Sequence, residues 1–113
     1  MEWQVNYYQT DDGESPIEEW LDSLNEKVRA KIFRNFDLLE KFALQLKEPY
    51  IKPLEDKLYE IRAKDTSGIY RVIYFAHTGK QFIMLNGFTK KTQKTPRKEI
   101  ALAKHRMKEI IDE

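Results

Sequence analysis

The feature that most constrains what this chain can fold into is a change of hydrophobic period near residue 58. Before it, apolar residues recur every three or four positions: Ile17, Trp20, Leu21 and Leu24, then Val28, Ile32, Phe36, Leu39, Phe42 and Leu46. That is the spacing of one helix face. From 58 to 88 the pattern alternates, as along a strand that buries one side. After residue 95 the helical spacing returns with Ile100, Ala103, Met107 and Ile110. Helices and strands are therefore segregated along the chain. This predicts an α+β fold with an antiparallel sheet rather than repeated β-α-β units.

Local signals place the boundaries. Residues 3–8 are rich in strand formers and predict an opening strand, closed by the turn Thr10-Asp11-Asp12-Gly13. Ser15, Pro16 and Glu18 form a capping box with proline at the first helical position. Asn25 separates this short helix from a longer one, which Pro49 and Pro53 are expected to end. The two should form a helical hairpin. Strands follow at 58–64, 69–76 and 82–88, with turns at 65–68 and 77–80. Thr95-Pro96 opens the last helix. The predicted order is β-α-α-β-β-β-α, in a single domain over residues 1–113, a length that suits one core.

Composition narrows the function classes. With no cysteine, neither a disulfide framework nor a thiolate metal site can form. No apolar run approaches the ~18 residues of a membrane span, and Met1-Glu2-Trp3-Gln4 does not resemble a signal peptide. A cytoplasmic protein without membrane contact is expected. The net charge of +1 conceals an asymmetry. Residues 1–60 carry 8 basic and 14 acidic residues, a net of −6, while residues 61–113 carry 12 and 5, a net of +7. An anion-attracting side backed by an acidic helical layer is one reading; charges spread over separate solvated surfaces is the other.

The hairpins allow a register argument. A turn at 65–68 pairs Lys64 with Ile69 and sets Arg62 opposite Arg71 and Glu60 opposite Ile73. A two-residue turn at Thr78-Gly79 would pair His77 with Lys80 and set Asn86 opposite Arg71, Met84 opposite Ile73 and Phe82 opposite Phe75. One face then holds Tyr59, Ile61, Ala63, Tyr70, Val72, Tyr74, Ile83 and Leu85 and packs on the helices. The other is exposed, with a polar end (Glu60, Arg62, Arg71, Asn86) and an apolar end (Ile73, Phe75, Phe82, Met84). Opposed arginines repel unless an anion or a carboxylate lies between them. Strand three runs on into Lys90, Lys91 and Lys94, so five cations converge in a way that suits phosphate. The alternative pairs Arg62 with Glu60 or Asp65 and leaves the lysines to solubilise a loop. No carboxylate or histidine cluster has metal-ligand spacing, and no glycine-rich phosphate loop is present.

The segment Lys52-Pro53-Leu54-Glu55-Asp56-Lys57-Leu58-Tyr59-Glu60-Ile61-Arg62 is followed by Tyr70-Arg71-Val72-Ile73-Tyr74-Phe75 and by Gly87-Phe88-Thr89-Lys90-Lys91-Thr92-Gln93-Lys94-Thr95-Pro96. With Glu99, Ile100 and Ala103, these stretches resemble the RelE/ParE superfamily of toxins, specifically the HigB-like branch related to phage Gp49-like proteins. The resemblance implies the toxin of a type II toxin–antitoxin pair, with a RelE-like fold and no cofactor. It implies ribosome-dependent, metal-independent mRNA cleavage. The implied partners are a HigA-like helix-turn-helix antitoxin, the ribosome and mRNA, with operator DNA met only through the antitoxin complex.

Such cleavage uses the neighbouring 2′-OH and needs a base, cations for the phosphorane and an acid for the leaving oxygen. Under the resemblance, Arg62 and Arg71 bind the scissile phosphate, and Lys90, Lys91 and Lys94 hold RNA backbone and assist proton transfer. Asn86 and Arg97 complete the RNA-binding set. Glu60 is a candidate base, or else a salt-bridge partner of an arginine. His77, His105 and Arg106 are further acid–base candidates, with structural roles as the alternative. No tyrosine follows Tyr74, so the late active-site tyrosine of some RelE-like toxins has no counterpart. Arg71→Ala is expected to abolish cleavage while leaving folding intact. The antitoxin is expected on the apolar end of the exposed face or on the acidic first half. The competing functions are a ParE-like gyrase inhibitor and a non-catalytic RNA-binding module.

Overall fold

The computed structural model describes residues 2–90 and 94–112, with the Lys90 side chain excluded. The elements are β1 (Gln4–Tyr7), α1 (Pro16–Ser23), α2 (Glu26–Phe42), β2 (Ile51–Pro53), β3 (Tyr59–Asp65), β4 (Gly68–His77), β5 (Gln81–Lys90) and α3 (Arg97–Ile111). A single 3₁₀ turn, Ala43–Gln45, follows α2. Mixed α+β architecture is as the periodicity predicts.

The helix starts follow their caps. Ser15 Oγ accepts from the Glu18 amide at 3.3 Å, and Asn25 Oδ1 from the Val28 amide at 3.0 Å. Val28, Ile32, Phe36 and Leu39 are the buried stripe of α2. Each such side chain contributes about 1.5–3 kcal/mol by leaving water. The prolines do not end this helix. It stops at Phe42, where Ala43 turns left-handed (φ 51°), and the 3₁₀ turn carries Leu46 back into the core. Pro53 instead lies in β2, an unexpected strand at the sheet edge, where its missing N–H is not needed.

The sheet order is β1-β5-β4-β3-β2. β1 pairs parallel to β5, and the other pairs are antiparallel. The β3–β4 register is as expected, with Lys64 opposite Ile69, Arg62 opposite Arg71 and Glu60 opposite Ile73. The β4–β5 register is not. Gly79 and Lys80 are both left-handed, at φ 76° and 55°. The loop therefore holds three residues, and His77 pairs with Gln81. A bulge between Ile73 and Tyr74 adds one more step, so that Asn86 opposes Ile73 and Phe88 opposes Arg71.

This slip exchanges residues between faces. Phe82 and Met84 join Ile61, Tyr70, Val72 and Tyr74 against α1 and α2, with Phe82 stacked on Trp3 at 4.4 Å. Ile83 and Leu85 join Ile73, Phe75 and Phe88 on the opposite face. That face is not exposed: Ile100 and Ala103 of α3 cover it, with Met107 and Ile110 alongside. So much apolar surface cannot be left in water, and the amphipathic last helix supplies the cover. The expected antitoxin landing site at its apolar end is thus occupied by the chain itself. Gly87 lies under α1, where an added Cβ would stand 2.3 Å from the Trp20 ring.

A cationic groove at the free edge of β3

β2 pairs only with residues Tyr59, Glu60 and Ile61, so β3 presents an uncovered edge from Arg62 onward. Its outward backbone groups take other partners. The Arg62 amide donates to the Tyr50 carbonyl at 3.0 Å. Asn35 Nδ2 donates to the Arg62 carbonyl at 3.0 Å, and Lys31 Nζ to the Lys64 carbonyl at 3.2 Å. These bonds protect the edge and hold α2 beside it.

Between them lies a cavity of about 530 Å³. Lys31, Arg34, Arg62, Lys64 and Arg71 line it, with Asn35, Leu38, Pro49, Tyr50, Ala63 and Ile69. Among the described residues, five cations and no carboxylate share this wall. The field attracts anions, and Arg forks match phosphate geometry. Such a lining repels a divalent cation, and among the described residues no group of histidine, aspartate and glutamate could hold a metal.

Arg71 is part of the wall although only 1% exposed, and Glu60 beside it is equally buried. Arg71 Nη1 donates to Glu60 Oε1 at 2.6 Å, and Thr95 Oγ1 donates to Glu60 Oε2 at 2.7 Å. Burial pushes the Arg71 pKa down most; Glu60 pushes it up, and Arg62 adds a smaller downward push. The carboxylate that compensates Arg71 is therefore Glu60, which lies diagonally across the β3–β4 ladder from it. It acts as a counter-charge, since its protonation would leave a buried guanidinium uncompensated.

The other expected residues scatter. Lys90 pairs through its backbone with Ile69, at the groove's end, and Lys94 is exposed. Lys91 lies outside the described residues. Asn86 is buried under α3, its amide donating to the Glu99 carbonyl at 3.3 Å and to Glu99 Oε1 at 3.0 Å. The bulge carried it away from Arg71, so it fastens a helix and does not face a ligand. Arg97 is clamped bidentately on Glu55 at 2.7 and 2.9 Å. Lys104 also pairs with Glu55, and with Asp56 at 3.2 Å. Arg97 and Lys104 together hold the Glu55 carboxyl down at about 2.

His77, His105 and Arg106, the further acid–base candidates, do not line the groove. His77 sits at the far hairpin beside Phe75, with ring centroids 5.4 Å apart. His105 pairs with Glu109 at 3.0 Å. Arg106 donates to the Leu85 carbonyl at 2.7 Å and lies over the Tyr8 ring. Sequence reasoning missed Lys31, Arg34, Asn35, Tyr50 and Thr95. A signal existed for three of them: Lys31, Arg34, Asn35 and Leu38 recur at helical spacing beside the buried stripe. Tyr50 carries none, and Thr95 carries only a helix-start signal with Pro96.

The family model described as Phage derived protein Gp49-like (DUF891) matches residues 19–108. No curated protein matches the chain. Among solved structures, a free-state double arginine-to-alanine mutant of the Escherichia coli toxin RelE aligns with a TM-score of 0.63 at 13% identity. That alignment covers 94% of this chain and 98% of RelE. The Mycobacterium tuberculosis toxin–antitoxin complex RelBE2 contains a chain aligning with a TM-score of 0.57 at 15% identity, over 80% of this chain and all of that one. At identities this low, the likeness shows the fold alone.

Proposed function

The chain belongs to the Gp49-like family of phage-derived proteins, and from that premise we propose that it is the toxin of a type II toxin–antitoxin pair, acting in the cytoplasm as a ribosome-dependent mRNA endonuclease. The observation that carries this reading is the groove in which, among the described residues, five cations and no carboxylate form the wall. The shared RelE fold supports it, and the RelBE2 complex, a toxin with its antitoxin, supports an antitoxin partner. A HigA-like helix-turn-helix protein is the proposed partner, binding operator DNA on behalf of the complex.

In this reading Arg62 and Arg71 hold the scissile phosphate and stabilise the charge that grows on it. Lys31, Arg34 and Lys64 hold flanking phosphates. The 2′-OH attacks phosphorus and the P–O5′ bond breaks, leaving a 2′,3′-cyclic phosphate. The 2′-OH proton goes to a group other than Glu60, which is committed to Arg71 and Thr95. The departing 5′-oxygen takes up a proton to become a hydroxyl. Lys90, the last residue of β5, and Lys91 and Lys94, which follow it in the sequence, are the proposed carriers of backbone contacts and proton transfer. Cation crowding disfavours a metal at the site, so the reaction proceeds without one.

Purified protein added to translating ribosomes, with sequencing of mRNA 5′ ends, tests the proposal. New 5′ ends in ribosome-bound message, lost in Arg62→Ala, are the expected result. Intact message with accumulating double-strand DNA breaks would overturn it in favour of gyrase inhibition. Binding of RNA without new ends would leave an RNA-binding module.

A further inference from the structure

Glu60 has different partners for its two oxygens, Arg71 Nη1 at 2.6 Å and Thr95 Oγ1 at 2.7 Å. The three side chains are 1%, 1% and 8% exposed. They come from β3, β4 and the segment leading into α3, with Glu60 and Thr95 35 positions apart in the sequence. We propose that Thr95 is a positioning residue of the groove: its hydroxyl holds the Glu60 carboxylate in the orientation that clamps Arg71, and so sets where that guanidinium meets a bound phosphate. The catalytic consequence rests on the nuclease reading; the positioning itself does not.

A carboxylate held at one oxygen can swivel about its side chain, and a second directional bond removes that freedom. An O–H···O⁻ bond at 2.7 Å is of the strong, charge-assisted kind. In a buried setting such a bond counts for more, and leaving the oxygen bare is costly. Arg71 needs this control because it is pushed from two sides. Burial disfavours its charge, and Arg62 stands directly opposite in the ladder. Glu60 is the counterweight, so any looseness in Glu60 passes to Arg71. A threonine suits the site because its methyl fills buried space while its hydroxyl donates.

The test compares Thr95→Val, which keeps the shape and removes the donor, with Thr95→Ser, which keeps the donor. Two readouts are used. The first is the ¹⁵N side-chain NMR signal of Arg71 in the ligand-free protein. A single sharp signal in the native protein and in Thr95→Ser is expected, with broadening or splitting in Thr95→Val. The second is mRNA cleavage on ribosomes. There kcat should fall on the order of 100-fold in Thr95→Val, as for a catalytic group displaced by about 1 Å, while KM stays within about threefold. Thr95→Ser should restore most of the rate.

An unchanged Arg71 signal in folded Thr95→Val would overturn the proposal, as would equal losses in the valine and serine variants. If the native protein does not cleave mRNA, the nuclease reading falls, and the Arg71 signal alone decides the positioning role. Should Thr95→Val fail to fold, Thr95→Ala, which also lacks the donor, is read by the same signal.

Discussion

Arg62 and Arg71 face each other across the β3–β4 ladder, and Arg71 is buried on Glu60 at 2.6 Å. The like-charged pair is tolerable because the counter-charge lies diagonally across the same two strands. The structure thus ties one cation of the groove to the protein's stability.

The first prediction follows from that tie. Arg71→Ala leaves Glu60 buried without its cation, so unfolding in urea should show a loss of about 3–5 kcal/mol. This replaces the expectation that folding would be left intact. Arg62→Ala, at a half-buried position, should cost under about 1 kcal/mol while removing cleavage. Equal stability of the two variants would contradict the buried-pair account.

Lys31 and Arg34 lie on the groove wall from α2. If each neutralises one phosphate of single-stranded RNA, Lys31→Ala and Arg34→Ala should each flatten the salt dependence of binding. The slope of log affinity against log salt should change by about 0.7 per residue. Fluorescence anisotropy of a labelled RNA oligonucleotide between low and moderate salt measures this. An unaltered slope would remove α2 from the interface.

Gly87 has no room for a side chain beneath Trp20, where a Cβ would meet the ring at 2.3 Å. Gly87→Ala should destabilise by about 1–3 kcal/mol through overpacking. Pairing it with Trp20→Leu should recover part of the loss, and thermal melts of the single and double variants check the coupling.

The Glu55 carboxyl, clamped by Arg97 and Lys104, titrates at about 2. A carboxylate whose folded pKa lies below its unfolded value stabilises above the unfolded pKa of about 4.3. That contribution is lost as pH falls through the folded value. Glu55→Gln should therefore melt below the native protein at pH 6, and the two should converge as pH approaches 2. The pair is solvent-exposed, so the gap should be small and should shrink in high salt.

Much of the fold was legible because its signals are local. The β3–β4 register held because Asp65 shapes its own turn, accepting from the Ser67 amide at 2.8 Å and the Ser67 hydroxyl at 2.7 Å. The β4–β5 register failed because Lys80, a residue without a turn preference to read, adopts a left-handed conformation. The bulge beside Ile73 then depends on packing on both faces at once. At the site, the Arg62–Arg71 opposition was legible from the hairpin. The destinations of Asn86 and Arg97 were not, since each is set by a contact with a distant segment.

By itself, then, the sequence determined the element types, the helix caps, the hairpin that opposes the two arginines and the charge asymmetry between its halves. Each of these depends on residues a few positions apart. Tertiary structure alone decided which cations gather. Lys31 and Arg34, from the net-acidic half, share a groove with Arg62, Lys64 and Arg71 because α2 docks on the free edge of β3, about thirty residues away. Tertiary packing also decided that Glu60 is a clamp. Burial at 1% exposure between Arg71 and Thr95 commits its charge, and burial is a property of the packed layers rather than of any stretch of chain.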